Sequence, residues 1–309
     1  MAWRLHLSDR PIRRMDILTG KPNLLAAWTA ADRVSFMDLQ YGTKIDDRMI
    51  ELPNIDDRQS DQWKGFVETL TAPNKACLPC VRTPVGMLLS APDASLRLVH
   101  EGKAEDYLIA AGRVSKLEFG RGVSLIRLEF EPTNGTIAAL DTKAQLHLFQ
   151  RQVKIGAFET GLTYEDELTP TLAIPDGGHV IYLSDGRRLV AIENTGTIRR
   201  SLDLHYTLGA LCCSPDGKLV ATSDLDANVL RVYRGDDLTA THQRFAVDLL
   251  ADAKRTQLMA GAISGTAAAG PLALNNKGAF IFAMGGVICA TNIAKMRSVP
   301  AASVRSPKT

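Results

Sequence analysis

Residues Thr207 to Thr241 constrain the fold of this chain more than any other stretch, because they read as four short strands joined by three tight turns. In Ser214-Pro215-Asp216-Gly217 the proline presets φ, the aspartate hydrogen-bonds the backbone ahead of it, and the glycine accepts positive φ. Leu208, Ala210 and Cys212 alternate toward one face before that turn, and Leu219 to Thr222 form the next strand. Ser223 to Asn228 turn the chain again, and Val229 to Arg234 follow, rich in β-branched and aromatic residues. Gly235-Asp236-Asp237 make the last turn, and Leu238 to His242 close the unit. A single sheet of this kind cannot bury both faces, so the unit must repeat or pack on something else.

It repeats. Turns of the same character precede an apolar strand at Gly20, Gly86, Gly135, Gly177, Gly217 and Gly278, spaced by 66, 49, 42, 40 and 61 residues. Three of the intervals fall in the range of about 40 to 50 residues typical of radial four-stranded repeats, and the two longer ones point to insertions. A second feature keeps step. The third strand of each unit ends in a pair whose second member is polar: Met37-Asp38, His100-Glu101, Phe149-Gln150, Ile192-Glu193, Tyr233-Arg234 and, less well, Thr291-Asn292. These polar residues lie 18, 15, 15, 16, 17 and 14 residues after their glycines.

On these residues the chain resembles the WD40 and YVTN-type β-propeller superfamily. Ser214-Pro215-Asp216-Gly217-Lys218 matches the turn between the first two strands of that superfamily's repeat, and the polar residue closing each third strand stands where its Trp-Asp dipeptide would be. No Trp-Asp occurs and no Gly-His pair opens a unit, so the resemblance is to a degenerate member. It spans roughly residues 3 to 298 and is strongest from Ser124 to His242. It implies an all-β fold, a β-propeller of six four-stranded blades. Seven is the alternative, since the 66-residue interval has room for a further partial sheet. A single domain over residues 1–300 follows, with two short helical insertions at 53–74 and 246–270 and a polar, disordered tail at 301–309. The alternating strand Trp3-Leu5-Leu7 is expected to pair with the strands around Ala279 to Ile293 and so join the two ends of the array.

Function is less legible. Propellers commonly present wide, stiff faces to other macromolecules, so the resemblance implies a cytoplasmic protein-interaction scaffold with a protein partner. The alternative is a hydrolase. Val229-Leu230-Arg231-Val232-Tyr233-Arg234-Gly235-Asp236 is similar to units of lactonase-type propellers, which act on small molecules at a central channel. The candidate partner-binding residues are Trp63, Phe66, Val67 and Leu70. They occupy positions i, i+3, i+4 and i+7 of a helix expected after Ser60, one apolar face that either packs on the rim or docks a partner.

Other motifs weigh little. Cys77-Leu78-Pro79-Cys80 is the sole C-x-x-C, with no second pair to complete a zinc site, so structural thiols are expected and a redox or metal role is the alternative. Asp224-x-Asp226-x-Asn228 imitates the start of a calcium loop, but Val229 and Gly235 stand where that loop needs Gly and Glu. A hairpin turn accounts for these residues, so neither metal nor cofactor is expected. Lys and Arg number 36 against 34 Asp and Glu, which gives no electrostatic reason for nucleic-acid or membrane partners. The longest apolar run, Ala279 to Ala290, holds only 12 residues, and no secretory leader is visible in the first residues. Five cysteines without a pairing pattern suit free thiols in a reducing compartment.

Overall fold

The fifth unit folds as its pattern requires, and five more sheets are built on the same plan in the computed structural model of the chain. The structure describes residues 2–9, 11–12, 14–17, 24–30, 33–49, 80–83, 86–90, 95–100, 114–118, 123, 125–131, 134–150, 153–165, 168, 170–252, 254–255 and 269–299. Trp63, Phe66, Val67, Leu70, Cys77 and the turn at Gly20 lie outside the described residues.

The first sheet holds β2 (Arg14–Ile17), β3 (Leu24–Ala30), β4 (Arg33–Asp38) and β5 (Thr43–Met49) in that order. The second holds β6 (Cys80–Thr83), β7 (Gly86–Ser90), β8 (Ser95–His100) and β9 (Val114–Glu118). The third comprises β10 (Leu125–Glu131), β11 (Thr136–Asp141), β12 (Gln145–Gln150) and β13 (Val153–Glu159). The fourth comprises β14 (Thr171–Ala173), β15 (Val180–Ser184), β16 (Arg188–Glu193) and β17 (Ile198–Asp203). The fifth runs β18 (Leu208–Cys213), β19 (Leu219–Asp224), β20 (Val229–Arg234) and β21 (Ala240–Phe245). The sixth runs β23 (Ala269–Leu274), β24 (Ala279–Met284) and β25 (Val287–Asn292). Within each sheet the consecutive strands are antiparallel, and their first strands lie side by side: β2 beside β23, β23 beside β18, β18 beside β14, β14 beside β10, and β10 beside β6. This all-β arrangement fits a β-propeller-like fold.

The fourth strand of the sixth sheet comes from the other end of the chain. β1 (Trp3–His6) pairs antiparallel with β25, Trp3 opposite Ala290 and His6 opposite Val287, within the stretch expected for it. Two short strands add further edges. β22 (Lys254–Arg255) lies parallel to β1, and β26 (Arg297–Ser298) pairs with β21 of the fifth sheet.

The described cores lie between sheets, because the sheets that form them place apolar residues on both faces. Ala138, Leu140, Leu146 and Leu148 meet Leu172, Ile181, Leu183, Val190 and Ile192 between the third and fourth sheets. Tyr182, Leu189 and Ala191 meet Val220, Tyr233 and Leu238 between the fourth and fifth. Ala221, Leu230 and Val232 meet Leu272, Phe280, Phe282 and Cys289 between the fifth and sixth, where the two phenyl rings stack with centroids 6.2 Å apart. Leu5, Ile281, Ile288 and Ala290 meet Met15, Leu25, Ala27 and Met37 between the sixth and the first. Burying one such side chain contributes about 1.5 to 3 kcal/mol, so each interface rather than any single sheet is the stabilising unit.

Two expectations change. The helical insertion expected at 246–270 begins with a short helix: α1 covers Ala246–Asp252, burying Ala246, Leu249 and Leu250 while Val247 is 53% exposed. It stops where the chain turns into β22, because Lys254 and Arg255 pair with Trp3 and Arg4. Leu238 does not open the last strand of the fifth unit. It is buried in a left-handed turn conformation, φ +56°, with its N–H donating to the Arg234 carbonyl at 3.0 Å, and β21 begins at Ala240.

Trp3 joins the sixth sheet to the first. Its ring is 3% exposed, and its indole N–H donates to the Leu39 carbonyl at 2.8 Å. Gly42 leaves the space for it, since a Cβ there would sit 2.4 Å from the ring. Trp3→Ala is therefore expected to cost about 3 to 5 kcal/mol in chemical denaturation, as large-to-small core changes do. Removal of residues 1–9 should lower the melting temperature further by exposing the edge of β25. Unchanged stability in both variants would show that this junction does not hold the two sheets together.

Candidate functional site

Four of the turns that anchor the repeat, those at Gly135, Gly177, Gly217 and Gly278, lie at the same end of the third to sixth sheets and are bonded to one another. In three of them, those at Gly135, Gly217 and Gly278, a side-chain oxygen shortly before the glycine fixes the backbone. Ser214 Oγ accepts from Leu219 N at 3.0 Å and donates to Asp216 Oδ1 at 2.7 Å. Asn275 Oδ1 accepts from Lys277 N and Ala279 N, both at 2.9 Å. Glu131 Oε2 accepts from Asn134 N at 2.9 Å. Gly135, Gly177, Gly217 and Gly278 have φ of +66°, +82°, +68° and +73°, the left-handed region that the sequence pattern requires.

Between turns, the bonds run from sheet to sheet. Asn134 Nδ2 donates to the Gly177 carbonyl at 2.7 Å, linking third to fourth. Asp176 N donates to the Pro215 carbonyl at 2.7 Å, linking fourth to fifth. Asp216 N donates to Asn276 Oδ1 at 2.8 Å, linking fifth to sixth. Glycine permits this approach: a Cβ on Gly217 would come within 3.3 Å of the Pro175 ring, and one on Gly178 within 2.6 Å of Thr136 Oγ1. Tyr182 completes the belt from below. Its hydroxyl lies 2.9 Å from the Gly217 carbonyl and 3.1 Å from that of Gly235.

This end is rich in carboxylates of unequal character. Burial raises the pKa of Asp176, and the nearby Glu131 and Asp216 charges raise it further. Asp216 goes the other way. Partial burial opposes its ionisation, but the Ser214 hydroxyl, the Lys218 N–H and the Lys218 ammonium at 3.5 Å outweigh that and lower its pKa. The arrangement holds these charged groups at fixed positions on a base of linked turns.

A second polar layer lies at the opposite end, where an aspartate at the end of β11 and β19, and just after β15, caps the following hairpin. Asp141 Oδ1 accepts from Lys143 N and Gln145 N, Asp185 Oδ1 from Arg187 N and Arg188 N, and Asp224 Oδ1 from Asp226 N and Ala227 N. The second oxygen reaches a different partner in each: His147 at 2.9 Å, Thr163 N at 3.1 Å, and Arg231 at 3.0 Å. Asp224, Asp226 and Asn228 thus form the expected hairpin turn. Beside them the Tyr206 hydroxyl lies 2.7 Å from Thr222 Oγ1 and 2.8 Å from the Tyr233 hydroxyl, with Arg231 3.9 Å above the Tyr206 ring.

Of the residues the sequence singled out, Cys80 opens β6, while Cys77 and the Trp63, Phe66, Val67, Leu70 face lie outside the described residues. The described residues hold no group of three or more His, Cys, Asp or Glu placed to hold a metal ion. Pattern reading missed Tyr182, Asn276 and the Tyr206 cluster. Only Asn276 had a local signal, its place in the Asn275-Asn276-Lys277-Gly278 turn.

Gly235 is the tightest point, since a Cβ there would meet the Gly217 carbonyl oxygen at 1.8 Å and the Tyr182 hydroxyl at 2.5 Å. Gly235→Ala should therefore destabilise more than Tyr182→Phe, which loses hydrogen bonds worth about 1 to 3 kcal/mol. Gly217→Val should cost roughly 1 to 3 kcal/mol through backbone strain. Denaturation showing all three near wild type would mean that the belt does not stabilise the fold. The thiols give a separate test. Cys212, Cys213 and Cys289 are free, and burial pushes all three pKa values up, that of Cys289 to about 12. Native protein at pH 8 should label slowly with a thiol reagent at these positions, and denatured, unreduced protein should return five thiols per chain. A count of three would imply a Cys77–Cys80 disulfide.

No protein-family model matches the sequence, and no curated protein matches it.

Proposed function

We propose that this chain is a protein-interaction scaffold on a WD40-like β-propeller of six blades. It would present its linked turns to a protein partner in the cytoplasm. The observation that carries the reading is the belt itself, three hydrogen bonds that tie the turns of the third to sixth sheets into one stiff surface. A surface ordered before binding loses little conformational entropy when a partner docks, which is what a scaffold face needs. Six blades are supported by the six sheets, by first strands that neighbour one another from β6 round to β2, and by β1 completing the sheet of β23 to β25. Free Cys212, Cys213 and Cys289 support a reducing compartment.

Affinity capture of the tagged full chain from its native lysate tests the proposal. A stoichiometric protein partner is expected, and its recovery should fall when Asp176→Lys and Asp216→Lys change the charge of the turn face without touching the core. A bound small molecule with no protein partner would instead favour the lactonase-like hydrolase.

A further inference from the structure

The opposite end of the fifth sheet carries a different surface. Leu225 in the turn after β19, Phe245 at the end of β21 and Val247 in α1 are 44%, 51% and 53% exposed. Single exposed apolar residues are ordinary, but these three stand at the same end of the fifth sheet, on the turn after β19, the end of β21 and the start of α1. Asn228 is the node that holds them in place. Its carbonyl accepts from Ala246 N at 2.9 Å, between Phe245 and Val247 in the chain. Its side-chain Oδ1 accepts from Ala269 N at 2.8 Å. Its own backbone is left-handed, φ +53°. The turn, the start of α1 and the start of β23 are therefore tied at one residue. Leu225 is fixed from the other side, its N–H donating to the Thr207 carbonyl at 2.8 Å.

The charge around this surface is one-sided. Asp226 follows Leu225 and Asp248 follows Val247, both exposed, and neither forms an ion pair among the described residues. Among the described residues, the arginines of the adjoining strands β20 and β21 are occupied: Arg231 is paired with Asp224 at 3.0 Å, and Arg244 is paired with Asp252 and donates to the Lys295 carbonyl at 3.0 Å. Apolar side chains on a rigid base with unpaired carboxylates beside them complement a ligand that is apolar and cationic together. The same carboxylates repel an anionic lipid surface.

We propose that Leu225, Phe245 and Val247, with Asp226 and Asp248, form a docking surface for a basic, apolar segment of a partner protein. The proposal rests on the scaffold reading and adds to it the partner's chemistry and a second face. The segment would set alternate apolar side chains against Leu225, Phe245 and Val247 and direct its Lys or Arg side chains at Asp226 and Asp248.

Fluorescence anisotropy on the full chain tests this, with a labelled peptide of alternating Leu and Lys as the probe and alternating Leu-Glu and Ser-Lys peptides as controls. The Leu-Lys peptide should bind, the controls should not, and both the D226K/D248K and the F245S/V247S chains should bind it roughly tenfold or more weakly. Melting temperatures of the variants separate lost binding from lost folding. Equal binding of the Leu-Glu peptide, undiminished binding by folded D226K/D248K, or attachment of the wild-type chain to phosphatidylserine vesicles would each overturn the surface. Capture from lysate keeps the two readings apart. If folded D226K/D248K retains the wild-type partner, this surface is wrong and the scaffold stands. If the wild-type chain captures no protein, the scaffold falls whatever the peptide does.

Discussion

The hydroxyl of Tyr182, set between the carbonyls of Gly217 and Gly235, shows the constraint on which the structure depends. The faces of the sheets whose cores are described meet through apolar side chains, contacts that are strong in sum but poor in direction. Hydrogen bonds between turns supply the direction. Tyr182 belongs to the fourth sheet, yet its polar end satisfies two backbone groups of the fifth, while its ring is buried with Val220 and Tyr233. A pair of sheets that slid or rotated would break those bonds and separate that core together. The backbone approach also explains why the turns need glycine, because a single added carbon at Gly235 would overlap the Gly217 carbonyl.

The two ends of the sheets solve different problems with the same residue types. At the belt end, Asp176 and Asp216 use their backbone N–H groups to reach the next sheet, leaving carboxylates at the surface. At the far end, Asp141, Asp185 and Asp224 turn their carboxylates inward to cap hairpins. There Asp141 and His147 are both buried, which such groups tolerate only when paired. One end therefore displays charge and the other spends it internally, except at Asp226 and Asp248.

The strand pattern, the recurring turn and the union of the first strand with the last sheet were legible in the sequence. Alternation and turn chemistry are local, and Trp3-Leu5-Leu7 is an unmistakable two-sided strand. Within the helical insertion expected at 246–270, α1 ends at Asp252, where pairing of Lys254 and Arg255 with β1 outcompetes one more helical turn. Leu238 was misplaced for a related reason. A leucine in a left-handed turn runs against local preference, and only its burial against the fourth sheet offsets that strain.

The candidate surfaces were less legible. The sequence by itself determined where the chain must turn and which residues alternate into the sheets, since proline, glycine and aspartate act on their own backbone and a strand's period is two. Which turns meet was decided by the tertiary structure alone. Asn134 with Gly177, Asp176 with Pro215 and Asp216 with Asn276 are 43, 39 and 60 residues apart, and nothing in local preference couples them. They meet because packing of apolar sheet on apolar sheet fixes the distance between turns, and only then can the hydrogen bonds form.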